Sequence, residues 1–383
     1  MSRLVFFFQS ASASGVCLLL AALLGVFLAN SPVAAQYFSL LDMKIGPLSI
    51  LLWINDALMA IFFLFVGLEV KREMISGELN TNAKRLLPGI AAFFGLSVPA
   101  VIYYLIAGHT ESFIPGWAIP TATDIAFAIG IVAILGSRVP PAMKVFLTAL
   151  AVMDDLMAII IIAVFYTTSI KFLFLLIAAM IVLLLIYCNK KNYVRPIPYI
   201  VLGIALWYCI LQSGLHATLA GVILALTIPL HGVREGRHIS PLTEWEHALS
   251  HWVSFFITPL FGFANAGVSF YAFSIADLAH PVVLGVALGL VLGKQLGIFT
   301  TLFFLVKSKI IDMPKDTTWP QVYGISLVCG IGFTMSLFVS LLAFEPGDIQ
   351  EKSKIGIFIG SIISGVLGYI VLRISGNKSS LEK

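Results

Sequence analysis

About twelve apolar stretches, each near the length that crosses a bilayer, run through this chain and constrain its fold more than any other feature. An α-helix needs about 20 apolar residues to span the hydrocarbon core, and only helices and closed barrels satisfy their backbone hydrogen bonds there. The pattern predicts an all-α polytopic membrane protein with about twelve transmembrane helices in one transporter domain, residues 1–383. The stretches lie near residues 11–30, 53–75, 87–107, 117–136, 142–166, 172–188, 197–211, 213–230, 246–270, 281–306, 319–343 and 354–373.

The composition agrees with a chain embedded in lipid. Hydrophobic residues make up 60% of the sequence and charged residues 11%, whereas soluble domains carry about 25% charged residues. The net charge is +4, but the basic residues are scattered through short loops, so no nucleic-acid partner is predicted. The cysteines show no paired spacing and lie in or beside apolar segments, which favours buried thiols over a metal or redox site. They are Cys17, Cys188, Cys209 and Cys329.

The first thirty residues have two possible roles. Arg3, the apolar run from Gly15 to Ala29 and the small residues after Val33 resemble a secretory signal peptide. The basic region is weak and many further spans follow, so we interpret the segment as a retained first helix.

The distribution of Lys and Arg predicts the orientation of the chain. Cytoplasmic loops of membrane proteins are enriched in these residues, and most of the 23 in this chain fall in segments on one side. Both termini are therefore predicted to lie in the cytoplasm. The exceptions are Lys294, which falls inside a span, and the outer residues Lys44, Lys171, Lys352 and Lys354.

Residues 38–52 connect the first two spans. They carry Gly46-Pro47 between short apolar runs. This pattern predicts a small hairpin outside the membrane, and the orientation places it on the periplasmic side.

Two spans are interrupted in the middle. The fourth reads Ala118-Ile-Pro-Thr-Ala-Thr-Asp124, and the eleventh reads Cys329-Gly-Ile-Gly-Phe-Thr-Met335. Proline and glycine weaken a helix and leave backbone groups that need partners inside the membrane. Interrupted helices at corresponding positions of two halves are typical of transporters built from inverted repeats, with the binding site near the midplane. A proline kink with glycine packing is the simpler alternative.

Four ionisable residues lie near the middle of predicted spans: Asp124, Asp154, Asp155 and Lys294. A charged side chain at the bilayer centre costs from about 3 to more than 10 kcal/mol, so each residue is a candidate functional group. Adjacent residues point about 100° apart on a helix. One of Asp154 and Asp155 can therefore face an ion passage while the other meets Lys294. Buried ion pairs that only stabilise the bundle are the alternative, although three acids do not balance one lysine.

Such acids can carry protons, or lose them and hold a hard cation. Carboxylate, hydroxyl and freed carbonyl oxygens suit a cation such as sodium or lithium. Competition between proton and cation for the same oxygens is sufficient for exchange. The residues thus predict a secondary transporter that is not an enzyme and needs no cofactor.

A second group of titratable residues lies at predicted helix ends. Glu69 and Glu73 are one helical turn apart, and Glu246 and His247 open the ninth span. Histidine titrates near neutral pH, so these residues form either a pH-sensing cluster or a solvated charged rim. His216 lies near the opposite face, where it is either a sensor or a packing residue.

In these motifs the chain resembles the NhaA family of bacterial sodium/proton antiporters. The matching segments follow one another through nearly the whole chain. They are Leu51–Ala60, Val66–Glu73, Gly116–Ala128, Leu135–Pro140, Asp154-Asp155, Ser213–Gly221, Phe263–Val268, Gly293-Lys294 and Cys329–Ser336. There are three departures: Gln295 stands where the family is expected to have proline, His251 is shifted by one position from the family's second histidine, and the hairpin at residues 38–52 is short.

The resemblance implies a role for each candidate residue. Asp155 is the principal ion-binding acid, Asp154 is its neighbour and the partner of Lys294, and Asp124 and Thr123 belong to the crossing of the two broken helices. A set of further residues is tied to the pH response: Glu69, Glu73, His216, Glu246 and His247.

The resemblance also implies how transport proceeds and where. The family exchanges two protons for one sodium or lithium ion, so transport is electrogenic, and it is regulated by pH. Its members lie in the bacterial inner membrane and form homodimers through the periplasmic hairpin.

Three other functions are weighed against antiport. A retinal pump would use a lysine in the membrane as its Schiff base, but the number of spans and the broken helices argue against it. An intramembrane aspartyl protease places its two acids on separate helices, whereas Asp154 and Asp155 are adjacent. A symporter of similar architecture is the closest competitor.

Overall fold

Helices make up almost all of the regular structure in the computed structural model, which describes residues 11–167, 171–234, 236–269, 274–314 and 316–376. In the first half of the chain they are α1 (Ala11–Ala29), α2 (Ala34–Asp42), α3 (Ile50–Ile75), α4 (Asn82–Ala107), α5 (Glu111–Thr121, a 3₁₀ helix), α6 (Ile125–Leu135) and α7 (Pro141–Phe165). In the second half they are α8 (Phe172–Lys190), α9 (Pro196–Ser213), α10 (Leu219–Thr227), α11 (residues 241–265), α12 (Pro281–Lys307), α13 (Trp319–Val328), α14 (Phe333–Ala343) and α15 (Asp348–Ser375).

All twelve predicted apolar stretches contain a helix, and most have the length of a membrane span. In the described ranges, eight helices are long and apolar enough to cross a membrane, or up to ten spans if two bent pairs each count as one. The bent pairs are α1 with α2, at 113°, and α13 with α14, at 43°. The predicted class, an all-α polytopic membrane protein, is confirmed.

Two of the predicted spans differ in form from the others. The stretch 213–230 holds only α10, a helix of nine residues, because Gly214 ends α9 with a left-handed backbone and Pro229 follows α10 closely. Helix α11 begins with a polar segment that carries Glu244, Glu246 and His247. Its mean hydropathy is therefore too low for it to count among the eight membrane-spanning helices.

A hairpin lies within residues 38–52, where the chain was expected to turn outside the membrane. Strands β1 (Lys44–Ile45) and β2 (Leu48–Ser49) pair antiparallel, and Gly46 between them has a φ of +65°, a conformation that favours glycine. A second hairpin, which the sequence did not predict, joins β3 (Gly232–Arg234) to β4 (Arg237–Ile239).

The two interrupted spans are broken at the predicted positions, and the breaks cross. The chain is extended at residues 122–124, between α5 and α6. The backbone nitrogen of Asp124 donates to the carbonyl oxygen of Ile331 at 2.6 Å, and Oγ1 of Thr123 donates to the carbonyl oxygen of Cys329 at 2.8 Å. Backbone groups freed by one break thus find partners at the other break, as a membrane interior requires.

Glycines allow α12 to lie directly against α4. A Cβ atom at Gly293 would stand 2.6 Å from Cα of Pro99, and one at Gly297 would collide with the carbonyl group of Phe94. Small residues are typical of such close helix contacts in membranes. This contact holds the middle of α12, and Lys294 on it, inside the bundle.

Candidate functional site

Helix α7 places both adjacent acids inside the protein. It begins at Pro141, a residue suited to the first turn of a helix, and continues unbroken for 25 residues. Asp154 and Asp155 lie in its second half and are each 2% exposed. Because they point about 100° apart, they meet different surroundings.

Asp154 faces Lys294 on α12. Nζ of Lys294 lies 2.5 Å from Oδ2 of Asp154, and both side chains are almost completely buried. A π-helical turn, Gly289–Gly293, comes immediately before the lysine; such turns are frequent at functional sites. This is the pair that the family resemblance implied. In the described ranges, Oδ1 of Asp154 has no hydrogen-bond partner.

Asp155 lies on the wall of a cavity of about 520 Å³. The cavity also contacts Asp124 at the helix crossing and Glu69 on α3, so three carboxyl groups share one space. Its other polar lining residues are Ser14, His247, Ser250, His251, Ser254, Thr258 and Thr334.

Asp124 joins the two broken helices at their crossing. Its Oδ1 accepts from the backbone nitrogen of Phe127 in α6 at 3.1 Å. Its Oδ2 accepts from the backbone nitrogen and from Oγ1 of Thr334 in α14, at 3.0 and 2.5 Å. The positive ends of two helix dipoles therefore converge on one carboxylate, which they stabilise.

Thr334 was absent from the residues that the sequence singled out. The available signal was weak: a hydroxyl residue two positions after the Gly-Ile-Gly break of the eleventh span. Which carboxylate that hydroxyl would meet depends on the crossing, and no local pattern encodes the crossing.

Arg72 joins two of the acids that were predicted to respond to pH. Its Nη1 lies 2.7 Å from Oε1 of Glu73, and its Nε lies 2.8 Å from Oε2 of Glu246. Glu73 is further held because its Oε2 accepts from the backbone nitrogen of Glu78 at 2.8 Å. The arginine ties the end of α3 to the beginning of α11.

The remaining predicted pH-response residues are divided between two places. Glu69 and the exposed His247 line the cavity beside Asp155. His216 is not part of this cluster: its Nε2 lies 2.5 Å from the carbonyl oxygen of Tyr166, just past the end of α7. Glu73 and Glu246 thus meet at Arg72, Glu69 and His247 line the cavity, and His216 lies apart from both groups.

The polar side chains around this cavity supply mainly oxygen atoms, from carboxylates and hydroxyl groups, with nitrogen from His247 and His251. Carboxylates and hydroxyl groups are the ligands of hard cations. Across the described residues, no group of three or more His, Cys, Asp or Glu has the geometry of a metal centre. The site thus offers reversible binding of a cation or of protons at carboxylates.

Comparisons with known proteins identify the family of this chain. The family described as Na+/H+ antiporter 1 matches residues 6–372. The Na(+)/H(+) antiporter NhaA of Nitrobacter hamburgensis is 51% identical over 371 residues, which cover 96% of this chain and 91% of the relative. The protein of the same name from Caulobacter vibrioides is 50% identical, with 96% and 89% covered.

A solved structure supports the fold at a greater distance. The sodium proton antiporter MjNhaP1 from Methanocaldococcus jannaschii has a TM-score of 0.56 and 15% sequence identity, covering 94% of this chain and 92% of that one. With the family match over nearly the whole length and relatives about half identical, this multi-pass membrane protein belongs to the Na+/H+ antiporter 1 family, that of the NhaA antiporters.

Proposed function

We propose that this protein exchanges cytoplasmic sodium or lithium ions for external protons, and that Asp155 is the group for which the two compete. The proposal rests mainly on the different surroundings of the two adjacent acids. Oδ2 of Asp154 forms an ion pair with Nζ of Lys294 at 2.5 Å. The adjacent Asp155 instead faces a cavity that Asp124 and Glu69 also line. Only Asp155 of the pair is available to a cation that enters this cavity.

Exchange follows from competition at one carboxylate. When Asp155 has lost its proton, its charge and the neighbouring oxygen atoms can hold a sodium or lithium ion. When protons bind, they remove the charge that holds the cation, and the cation leaves. We propose that the broken helices, which Asp124 joins at the crossing beside the site, move to expose the site to either side of the membrane.

We further propose that Asp154 is the second proton carrier. Lys294 neutralises its charge in the present arrangement. If Asp154 pairs with Lys294 while a cation occupies Asp155, and both acids take up a proton once the cation has left, the pair of acids exchanges two protons for one cation. One net charge would then cross the membrane in each cycle.

Everted membrane vesicles with a pH-sensitive dye test the proposed exchange. Addition of sodium or lithium to respiring vesicles is expected to release the proton gradient, and addition of potassium is expected to leave it unchanged. A response that requires a co-transported organic solute would indicate a symporter and would contradict the proposal.

Electrogenic exchange predicts that the membrane potential drives transport. One net charge per cycle couples transport to the potential by about 2.3 kcal/mol per 100 mV. In proteoliposomes without a pH gradient, an imposed potential of about 100 mV is therefore expected to drive sodium uphill by up to about 50-fold. Valinomycin and potassium set the potential, and liposomes without protein are the control. Sodium distribution that is indifferent to the potential would rule out this stoichiometry.

We propose that the Arg72 cluster, formed by Arg72, Glu73 and Glu246, tunes the response to pH without binding the transported ion. Glu246 contacts Arg72 and is not among the residues that line the cavity. Glu246→Gln is expected to shift the pH profile of exchange by about half a unit or more and to preserve the maximal rate, because it changes one ion pair at a distance from Asp155.

The matched control for this variant lies on the same helix. Glu244 forms an exposed ion pair with Arg234 at 2.9 Å, so Glu244→Gln is expected to leave the pH profile unchanged. The pH profile of sodium-dependent exchange, measured for both variants with the pH-sensitive dye between pH 6 and 9, tests this expectation. Loss of exchange at every pH in Glu246→Gln would place Glu246 in the transport pathway instead.

We propose that the protein lies in the bacterial inner membrane with both termini in the cytoplasm. The support is the skewed distribution of Lys and Arg. The terminal segments themselves, residues 1–10 and 377–383, are outside the described residues. We also propose that two copies pair through the hairpin at residues 38–52, whose strands are short; deletion of Lys44–Ser49 is a direct test of that dimer.

A further inference from the structure

A second cavity, separate from the proposed ion site, lies between α1, α6 and α15. Its volume is about 590 Å³, and its walls are almost entirely apolar. We call it the α1–α15 groove. Its lining includes Leu23, Ile134, Ile331, Phe333, Ile362 and Gly365.

The groove is open along a surface of large exposed apolar side chains. Leu23 is 54% exposed, Ile134 is 61% exposed and Ile362 is 64% exposed. In a chain that spans a membrane, such a surface faces the acyl chains of lipid. An empty hollow there would forfeit the van der Waals contacts of its walls, so a flexible hydrocarbon chain is the occupant that its shape and chemistry favour.

Two arginines stand at one end of the groove. Tyr369 forms part of the lining, and Cζ of Arg373, one turn further along α15, lies 5.9 Å from the centre of the Tyr369 ring. Nη1 of Arg138, at the end of the turn after α6, donates to the carbonyl oxygen of Arg373 at 3.2 Å. Arg373 is exposed and Arg138 is half-buried.

The floor of the groove is the reverse side of the helix crossing. Ile331, in the break between α13 and α14, and Phe333, the first residue of α14, line the groove. Oγ of Ser361 on α15 accepts from the backbone nitrogens of Gly332 and Phe333, at 3.2 and 3.1 Å. An acyl chain in the groove would therefore pack directly behind the segment that bonds to Asp124.

We propose that the α1–α15 groove binds one anionic phospholipid, with an acyl chain in the groove and the phosphate group at Arg373 and Arg138. Apolar walls that end at two cations match the two parts of such a lipid. Arginine is well suited to phosphate oxygens, and basic residues next to a span attract anionic lipids. With the orientation proposed above, the lipid belongs to the cytoplasmic leaflet.

Native mass spectrometry of the delipidated full-length protein tests the proposal with two defined lipids. Dioleoyl phosphatidylglycerol is expected to bind about 30-fold more tightly than dioleoyl phosphatidylcholine, since each arginine near the headgroup contributes about fivefold. Arg138→Gln with Arg373→Gln is expected to remove this preference. Arg237→Gln, an exposed arginine on β4, is the matched control and is expected to retain it.

A groove-filling variant tests the position of the acyl chain. A Cβ atom at Gly365 would lie 3.4 Å from side-chain carbons of Ile131 and Ile331, which is ordinary contact, so Gly365→Leu fills space without striking the backbone. This substitution is expected to weaken the binding of both lipids equally. Glycerol 1-phosphate, which has the headgroup but no acyl chain, is expected not to bind. If Gly365→Leu does not fold, the arginine variants still decide the proposal.

Three outcomes would overturn this assignment. Equal binding of the two lipids, or a preference that survives the double arginine variant, would remove the headgroup site. Lipid binding that appears only after deletion of residues 2–10 would assign the groove to the chain's own N-terminal segment. A dimer that Gly365→Leu dissociates would assign the groove to a second copy of the chain.

Discussion

Asp155→Asn is expected to abolish sodium-dependent proton release in everted vesicles and to weaken sodium binding about 1,000-fold. The substitution keeps the size of the side chain but removes its charge and its ability to carry a proton. A unit charge about 4 Å from a cation contributes about 4 kcal/mol at an effective dielectric constant of 20, and this energy corresponds to the expected loss of affinity. Isothermal calorimetry with sodium measures the affinity directly.

The control for this variant is another aspartate that is remote from the cavity. Asp348 begins α15, its side chain is 75% exposed and it pairs with Lys352 at 2.7 Å, so Asp348→Asn is expected to bind and exchange sodium normally. Thermal unfolding of both proteins in the absence of sodium separates a folding defect from a binding defect. Sodium binding of unchanged affinity in Asp155→Asn would overturn the assignment of the site.

Lys294→Ala is expected to reduce stability by about 3–5 kcal/mol at high pH. The change leaves Asp154 buried with no countercharge, because Lys294 is its ion-pair partner at 2.5 Å and both side chains are buried. At low pH a proton can neutralise Asp154, so the loss of stability is expected to grow as the pH rises. Thermal unfolding of the variant in detergent at a series of pH values measures this dependence.

Replacing both partners by neutral residues separates the ion pair from the proposed ion site. Asp154→Asn with Lys294→Gln is expected to recover most of the stability that Lys294→Ala loses, since no buried charge remains without a partner. Sodium binding at Asp155 is expected to persist in the double variant, whereas exchange becomes less electrogenic if Asp154 carries the second proton.

Lys352→Ala serves as the control for these lysine variants. This lysine pairs with Asp348 and Asp277 at the protein surface, where ion pairs contribute less than about 1 kcal/mol, so its loss is expected to have little effect. Stability of Lys294→Ala that does not depend on pH would show that Asp154 does not hold a negative charge opposite Lys294.

The positions of the helices and of the two breaks were determined by the sequence itself. Whether a stretch can lie in lipid depends on its own length and apolarity, and eight to ten stretches in the described ranges meet that requirement. Pro120 and the glycines at 330 and 332 act on their own backbone, so the breaks too were predictable from local sequence. The hairpin at Gly46 is another local effect, since only its own backbone conformation is involved.

Tertiary structure decided which groups meet. The angle of about 100° between neighbouring helix positions showed that Asp154 and Asp155 could not share one partner. The residues alone left open which acid meets Lys294; the resemblance implied Asp154, and α12 presents its lysine to that acid. The crossing likewise brought Thr334 to Asp124 from a distant part of the chain, and the packing of α3 against α11 joined Glu73 and Glu246 through Arg72.

One physical difference separates the features that the sequence determined from those that the tertiary structure decided. Partition into lipid, helix breaking and turn formation depend on residues close together in the chain, so their signals are present in the sequence. Contacts between helices depend on the rotation and depth of each helix in the bundle, which many weak packing contacts set together. That is why the residues alone left open what His216 contacts, and the structure places its Nε2 beside the carbonyl oxygen of Tyr166.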